Sequence, residues 1–170
     1  MTRLLLVRHA ESTWNAAGRW QGHGDPTLSA HGREQAAALA RALAGAGLER
    51  IVTSDLARAV ETGEALARAR ALPALRCAGL RELDIGRWTG LTREEISARD
   101  PAALAAFDAD AGDAAAGGGE TRAALARRAR ASLAALTGAF PDSCVAVVRH
   151  LGVIRALLGA PLDHAGWRWL

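Results

Sequence analysis

The 170-residue chain has no lysine, only two cysteines and no apolar run long enough to cross a membrane. Its 21 basic residues are all arginine and are interleaved with 18 acidic residues, which leaves a formal charge of +3. A nucleic-acid-binding protein is expected to cluster its cations on one face, so scattered arginines argue against that class. Cys77 and Cys144 have apolar neighbours and lack the spacing of metal ligands, so we expect reduced thiols, no metal and no cofactor.

These absences favour a cytoplasmic protein without a membrane or nucleic-acid partner. The chain enters an apolar run at once, with no basic leader and longer apolar segment before it. Its length, and the fact that half of its residues are apolar, are sufficient for one domain over residues 1–170. The excess of arginine suits a small anionic ligand, and the composition leaves a homodimer open.

Two short apolar runs each lead into an Arg-His pair. Residues 4–7 run into Arg8 and His9, and residues 145–148 run into Arg149 and His150. Short, continuously apolar runs are typical of strands that are buried on both faces of a parallel sheet. Ligands of open α/β sheets bind beyond the carboxyl ends of such strands. The sequence therefore predicts that both histidines lie at one edge of a sheet.

The remaining chain alternates between strand and helix patterns. Further strands are predicted over 50–53 and 75–77, and helices over 30–44, 56–70, 120–137 and 152–158, with Ser54 and Asp55 capping the second helix. Residues 8–29 are expected to form a long loop. Residues 108–119, rich in Gly, Ala and Asp, predict a mobile surface loop with Gly117–Gly119 as a flexible helix entry. This alternation favours an α/β fold, a three-layer α/β/α sandwich around a mostly parallel sheet.

The polar residues near the predicted strand ends suit phosphoryl chemistry. Arginine binds two phosphate oxygens at once, and a neutral histidine held in one tautomer is a nucleophile. His9 would attack phosphorus while Arg8, Arg58 and His150 hold the oxygens. A carboxylic acid must then protonate the leaving alkoxide, for which Glu82 is preferred and Asp84 is the alternative. The amides of Asn15 and Gln21 add further donors.

Five motifs in this order resemble the histidine phosphatase superfamily, which includes the cofactor-dependent phosphoglycerate mutases. Arg8-His9-Ala10 is similar to the opening Arg-His-Gly motif, and the similarity continues through Gln21-Gly22. Ser54-Asp55-Leu56 with Arg58 resembles the second arginine motif. Residues 80–90 resemble the acid-base loop, residues 118–121 the entry to a long helix, and residues 148–154 the second histidine motif.

The resemblance implies a phosphoglycerate mutase-like fold and a covalent phosphohistidine on His9. It assigns proton transfer to Glu82 and the phosphate pocket to Arg8, Arg58 and His150. Asn15, Gln21, Gly22 and Leu151 are expected to contact phosphate or substrate. Candidates for binding the leaving alcohol are Trp14, Trp20, Trp88, His23 and residues 100–118. By contrast, His31 and His164 are expected to be surface or capping residues.

The chain departs from the family pattern in several places. Ala10 replaces a usual glycine and would be strained if that position needs a positive φ. Leu151 also replaces a glycine and would narrow the pocket. Arg149 stands where a small residue is common and is expected to face solvent or form a salt bridge. Residues 167–170 are expected to form an abbreviated edge strand or to cover a hydrophobic surface, with a tryptophan packed in the core.

The resemblance leaves three functions open. The short segment between Trp88 and Glu120 would leave a phosphohistidine open to water, which favours a metal-independent phosphatase for a small phosphomonoester. The loops around Asn15, Gln21 and Trp88 resemble the broad-specificity and α-ribazole phosphatase branch. Mutase-type transfer is the alternative. A non-catalytic module that binds a phosphorylated ligand is less favoured, because every catalytic group is present.

Overall fold

A five-stranded sheet forms the centre of the protein. The computed structural model describes residues 1–109 and 113–170. Its strands are β1 (Arg3–Arg8), β2 (Arg50–Thr53), β3 (Ala74–Arg76), β4 (Cys144–Arg149) and β5 (Trp167–Trp169), in the spatial order β3-β2-β4-β1-β5. The first four strands are mutually parallel, and β5 pairs antiparallel with β1. The predicted, mostly parallel sheet is therefore confirmed.

Helices cover both faces of this sheet. They are α1 (Thr13–Ala16), α2 (Ala30–Ala42), α3 (Ala57–Arg70), α4 (Arg93–Arg99), α5 (Pro101–Asp108), α6 (Arg122–Ala139) and α7 (Leu151–Leu158). Side chains alternate between the faces of a strand, and Leu5 of β1 packs with Leu39 of α2 while Leu6 packs with Leu133 of α6. The result is the expected α/β/α sandwich.

A third apolar cluster lies beside the sheet and is built around Trp88. Ile96 of α4, Leu104 of α5 and Leu125 of α6 are buried in it. Phe107, near the end of α5, packs against the edge of Trp88 with ring centroids 5.6 Å apart. The segment between Trp88 and Glu120, expected to be short and to leave the site open to water, thus contributes to an apolar cluster that it shares with α6 and α7.

The glycine-rich segment before α6 is packed against its neighbours at two of its described residues. Ala116 and Gly117 are buried, and Gly117 has a φ of +55°. A Cβ on Gly117 would lie 2.2 Å from the carbonyl oxygen of Ile85 and 2.8 Å from Cγ of Trp88. The predicted surface loop is therefore wrong at these two residues, whereas Asp113 and Gly118 are exposed, and residues 110–112 of that prediction lie outside the described residues.

Other local predictions also need correction. The amino end of α3 is capped from a distant loop, because Oδ1 of Asp25 accepts a hydrogen bond from N of Ala57 at 2.6 Å, while Asp55 binds Arg81 instead. The loop over 8–29 contains α1, which Ser12 caps. The edge strand at the end of the chain is confirmed as β5. Trp169 within it is partly buried and packs against the core, whereas Trp167 is 43% exposed.

Candidate active site

The two Arg-His pairs lie side by side because β1 and β4 are neighbouring parallel strands. Arg8 is in register with Arg149, and N of His9 donates to the carbonyl oxygen of Arg149 at 2.9 Å. The ring centroids of His9 and His150 are 5.1 Å apart, and the two residues are 3% and 0% exposed. Two buried imidazoles therefore meet at the carboxyl edge of the sheet, where the sequence places them.

A backbone contact fixes the tautomer of His9. Its Nδ1 lies 2.7 Å from the carbonyl oxygen of Ala10. Because a carbonyl oxygen only accepts, we assign the proton to Nδ1, which leaves a lone pair on Nε2. Burial and the charge of Arg58 hold the pKa of His9 well below its usual value of 6.5. His9 is therefore a neutral imidazole with one nitrogen available as a nucleophile.

Alanine fits at position 10 without backbone strain. Ala10 is not among the residues with positive φ, and its side chain is buried beside Leu28 and Ala36. Its N donates to Oγ1 of Thr62 at 3.0 Å, and that hydroxyl donates to the carbonyl oxygen of Arg58 at 2.7 Å. The strain expected from replacing the usual glycine is absent, and this chain of bonds ties the end of β1 to α3.

Arg58 carries a buried positive charge into the site from the first turn of α3. Nη1 donates to the carbonyl oxygen of Gly24 at 2.8 Å, and Nη2 donates to that of Gly22 at 2.9 Å. Burial lowers the pKa of Arg58 to about 10, against the opposing charges of Glu82 and Asp25. The guanidinium is thus charged at neutral pH and fixed against the loop that follows α1.

His150 is buried without a hydrogen-bond partner among the described residues. Neither of its ring nitrogens is paired, and Nε of Arg58 is unpaired as well. Burial, followed by the charge of Arg58, holds the pKa of His150 well below 6.5. Unpaired buried donors are costly, and an anion placed between Arg58 and His150 would satisfy them.

Glu82 reaches the same site from the loop after β3. Oε2 accepts a hydrogen bond from N of Gly152 at 3.0 Å, and Oε1 accepts one from N of Leu83 at 2.8 Å. The backbone carbonyl oxygen of Glu82 lies 2.9 Å from Nε2 of His23. These contacts hold the carboxyl group at the amino end of α7, close to His150.

All of the predicted site residues except His150 line one cavity of about 260 Å³. Arg8, His9, Asn15, Gln21, Gly22, Arg58, Glu82 and Leu151 all contribute to its wall. The hydroxyl of Ser12 donates to Oε1 of Gln21 at 2.7 Å, and N of Ser12 donates to Oδ1 of Asn15 at 3.1 Å, which positions both amides. Leu151 begins α7 and forms part of the cavity wall. His150 does not line the cavity, and its ring lies beside that of His9.

A second, larger groove carries none of this chemistry. It measures about 560 Å³, and its lining residues include Leu75, Ala135 and Phe140, which are apolar. Among the described residues, no group of three His, Cys, Asp or Glu side chains is placed to hold a metal ion, and no helix is long and apolar enough to cross a membrane. Because Arg8, His9, Arg58 and Glu82 line the smaller cavity, it is the candidate active site.

Comparison with known proteins identifies the family. A sequence profile of the histidine phosphatase superfamily, branch 1, matches residues 4–169. The chain belongs to the histidine phosphatase superfamily. The glucosyl-3-phosphoglycerate phosphatase of Mycolicibacterium vanbaalenii is 39% identical over an alignment of 173 positions, which covers 95% of this chain and 76% of the relative. Phosphoserine phosphatase 1 of Hydrogenobacter thermophilus is 35% identical over 162 residues, with coverage of 95% and 77%.

Solved structures of histidine phosphatases agree with the fold. A mycobacterial glucosyl-3-phosphoglycerate phosphatase in complex with VO3 superposes with a TM-score of 0.90 at 34% identity, covering 99% of this chain and 90% of its own. The alpha-ribazole phosphatase from Shigella flexneri gives a TM-score of 0.87 at 28% identity, with coverage of 98% and 89%. The predicted family, the phosphoglycerate mutase-like fold and the assignment to a family of phosphatases are confirmed.

One histidine beside this histidine phosphatase site was missed in the sequence. His164, expected at the surface or in a cap, is half-buried with its ring centroid 6.0 Å from that of His9. Its Nε2 lies 2.8 Å from Nη2 of Arg8, 156 positions away in the chain. The short-range pattern around residue 164 carries no signal of that contact. His31, by contrast, is exposed as predicted.

Some of the other candidates lie away from the cavity, and others line it. Asp84, the alternative acid, accepts a hydrogen bond from N of Gly86 at 2.9 Å and does not line the cavity. Trp88 is buried and donates Nε1 to Asp100 at 2.9 Å. Of the residues proposed to grip the leaving alcohol, Trp20 and Phe107 form part of the cavity wall.

Arg149 contradicts its prediction directly. It is fully buried, and its three guanidinium nitrogens have no hydrogen-bond partner among the described residues, so it neither faces solvent nor forms a salt bridge. Alternation along β4 places it on the face of Val145 and Val147, whose neighbours are the apolar residues beneath α6. Burial alone lowers the pKa of Arg149 to about 9.

Proposed function

We propose that the protein hydrolyses a small phosphomonoester through a phosphohistidine formed on Nε2 of His9. The observation that carries the proposal is the neutral, buried His9, whose Nδ1 proton is engaged by Ala10 and whose ring lies beside the unpaired ring of His150. A nucleophile needs such a free lone pair, and a phosphate dianion needs fixed donors. Membership of a phosphatase family supports the same reaction.

In the first step, the lone pair on Nε2 of His9 attacks phosphorus and the bond from phosphorus to the ester oxygen breaks. The electrons of that bond leave on the alkoxide, which takes the proton of the Glu82 carboxylic acid and departs as an alcohol. Arg8, Arg58 and His150 bind the remaining oxygens and stabilise the charge that develops on them.

In the second step, the Glu82 carboxylate accepts a proton from a water molecule whose oxygen attacks the phosphohistidine. The bond between phosphorus and Nε2 breaks, its electrons return to His9, and inorganic phosphate leaves. The two backbone hydrogen bonds from Leu83 and Gly152 support this role, because they hold the carboxyl group in place through both proton transfers.

The outer wall of the cavity favours an ester with an apolar part and a second negative charge. Trp20 and Phe107 supply aromatic surface, and Arg155 of α7 adds a cation. Two relatives are named for glucosyl-3-phosphoglycerate and for phosphoserine, and both compounds carry a carboxylate near the phosphate. We therefore place phosphorylated carboxylic acids first among the substrates to test.

The experiment measures inorganic phosphate released from a panel of phosphomonoesters with a chelator present. The panel holds phosphoserine, 3-phosphoglycerate, glucosyl-3-phosphoglycerate, α-ribazole phosphate and p-nitrophenyl phosphate. We expect release by the wild type, loss of at least about 10³-fold in His9→Ala, and an acid-labile phosphoryl label on the wild type alone. His31→Ala, a change at an exposed histidine, is the matched control.

Three outcomes would contradict the proposal in different ways. Release that survives in His9→Ala would exclude His9 as the nucleophile. Formation of 2-phosphoglycerate from 3-phosphoglycerate faster than phosphate release would make the protein a mutase, and one relative in Arabidopsis thaliana is named a phosphoglycerate mutase-like protein. Binding of the esters without turnover would make it a binding module.

A further inference from the structure

The guanidinium of Arg8 is held by the segment that follows α7. Nη1 donates to the carbonyl oxygen of Leu162 at 2.7 Å, and Nη2 lies 2.8 Å from Nε2 of His164. The same segment is bonded to the end of β1, because N of Arg8 donates to the carbonyl oxygen of Gly166 at 2.9 Å. Arg8 therefore reaches the cavity with its side chain already anchored at two points.

The contact with His164 is possible in only one protonation state. A guanidinium has donors and no acceptor, so the nitrogen that faces it must offer a lone pair. His164 must then be neutral, with its proton on Nδ1. A protonated His164 would place a second donor and a second positive charge against Arg8, and this hydrogen bond would be lost.

We propose that His164 is a positioning residue that, as a neutral imidazole, orients the guanidinium of Arg8 toward the phosphoryl group of the substrate. This inference rests on the proposed function, in which Arg8 binds phosphate. A guanidinium fixed in advance loses less conformational freedom when the anion binds, so the anchored Arg8 binds phosphate more tightly than a mobile one.

The charges around this pair favour the neutral form of His164 near pH 7. Burial and the cation of Arg8 lower the pKa of His164 from 6.5, while Glu11 and Asp163 oppose the shift. Arg8 itself faces Glu82, Asp163 and the cation of Arg155, and its pKa is lowered chiefly by burial. As the pH falls through the lowered pKa of His164, the ring gains a proton and releases Arg8.

The test is the dissociation constant of inorganic phosphate, measured by calorimetry at a series of pH values from 7.5 to 5. At pH 7.5, His164→Ala should weaken binding about tenfold, which is the effect expected for a hydrogen bond to a charged group. His164→Gln should retain most of the affinity, because the glutamine oxygen offers an acceptor at a reach similar to that of Nε2. His31→Gln is the matched control at an exposed histidine.

The ratio of the wild-type and His164→Gln dissociation constants removes the titration of phosphate itself. We expect this ratio to rise as the pH falls below 6.5, because only the wild type loses its acceptor. A purely structural role would change the melting temperature and leave the ratio constant.

The outcomes separate this inference from the proposed function. Equal phosphate affinity in wild type, His164→Ala and His164→Gln, or a ratio that does not change with pH, would overturn the positioning role. If, in that case, His9→Ala abolishes hydrolysis, the proposed function is supported and only the positioning role of His164 is overturned. Hydrolysis that survives in His9→Ala would overturn both.

Discussion

Glu82 occupies the space that a side chain on Gly152 would need. N of Gly152 donates to Oε2 of Glu82 at 3.0 Å, and a Cβ on Gly152 would lie 2.3 Å from Oε1 of the same carboxyl group. The glycine two residues after His150 therefore allows the proposed acid to lie against the amino end of α7. A methyl group at that position must move the carboxyl group.

Gly152→Ala should impair proton transfer to the leaving group more than it impairs phosphate binding. General acid catalysis contributes about 10²–10⁴-fold, and we expect kcat for phosphoserine to fall about 10²-fold. The loss should be much smaller for p-nitrophenyl phosphate, whose phenolate leaves without a proton. Steady-state kinetics with both substrates tests the prediction, and equal losses for the two would contradict it.

Gly138→Ala is the matched control for this change. Gly138 also lies in a helix, α6, and a Cβ there would meet nothing within 4 Å. Alanine is the better helix former by about 1 kcal/mol, so the control should unfold at a slightly higher temperature and keep wild-type kinetics.

Replacing Arg149 with methionine should stabilise the protein. The buried guanidinium has no partner among the described residues, and removing an uncompensated buried charge in favour of an apolar side chain of similar length should raise the free energy of unfolding by about 1–3 kcal/mol. Urea unfolding at pH 7.5 measures the change. A loss of stability in Arg149→Met would contradict the unpaired state of the guanidinium.

The gain in unfolding free energy from Arg149→Met should be smaller at alkaline pH. Folding lowers the pKa of Arg149 to about 9, from an ordinary value of 12.5. Between these values the unfolded wild type binds more protons than the folded protein, so its stability rises with pH. The difference in unfolding free energy between Arg149→Met and wild type should therefore be smaller at pH 10 than at pH 7.5.

The strand-end histidines could be predicted because their signals are local. A continuous apolar run specifies a buried strand, and parallel neighbours bring their carboxyl ends to one edge, so His9 and His150 follow from the sequence. The side of the sheet on which Arg149 lies also follows from alternation. The burial of Arg149 does not follow from the sequence, because the residues next to it in the chain do not show that α6 covers it without offering a carboxylate or access to water.

Long-range contacts explain the other failures. Gly117 is required because Ile85 and Trp88 press against its backbone, and α3 takes its cap from Asp25 of a different loop. The contact between Arg8 and His164 joins opposite ends of the chain. In each case the residue type is compatible with an ordinary surface loop, and only the tertiary neighbours determine its role.

The two buried histidines should make the protein sensitive to mild acid. Folding holds the pKa values of His9 and His150 well below 6.5, so at pH values below about 6.5 the unfolded chain binds more protons than the folded one. Stability should therefore fall between pH 7 and pH 5. Urea unfolding should show that the free energy of unfolding falls less steeply with pH in His150→Gln, which has no titrating group at position 150. Parallel pH dependences of wild type and His150→Gln would contradict the prediction.

Arg155 should determine which substrates the cavity prefers. It lies one helical turn after Leu151 on α7, is exposed to solvent, and lines the cavity. A carboxylate on the leaving group would find a cation there, and a hydrogen bond between charged groups changes affinity about tenfold or more. Arg155→Gln should raise KM for phosphoserine by about that factor and leave KM for p-nitrophenyl phosphate nearly unchanged, because the latter has no carboxylate.

Two controls make this prediction specific to charge at the cavity. Arg155→Lys keeps the cation and should recover part of the loss, whereas Arg41→Gln removes an exposed arginine at the end of α2, away from the cavity. Equal effects of Arg155→Gln on both substrates would show that Arg155 acts on the shared phosphate, through Arg8, rather than on the leaving group. The comparison of KM between the two esters therefore assigns Arg155 either to substrate choice or to phosphate binding.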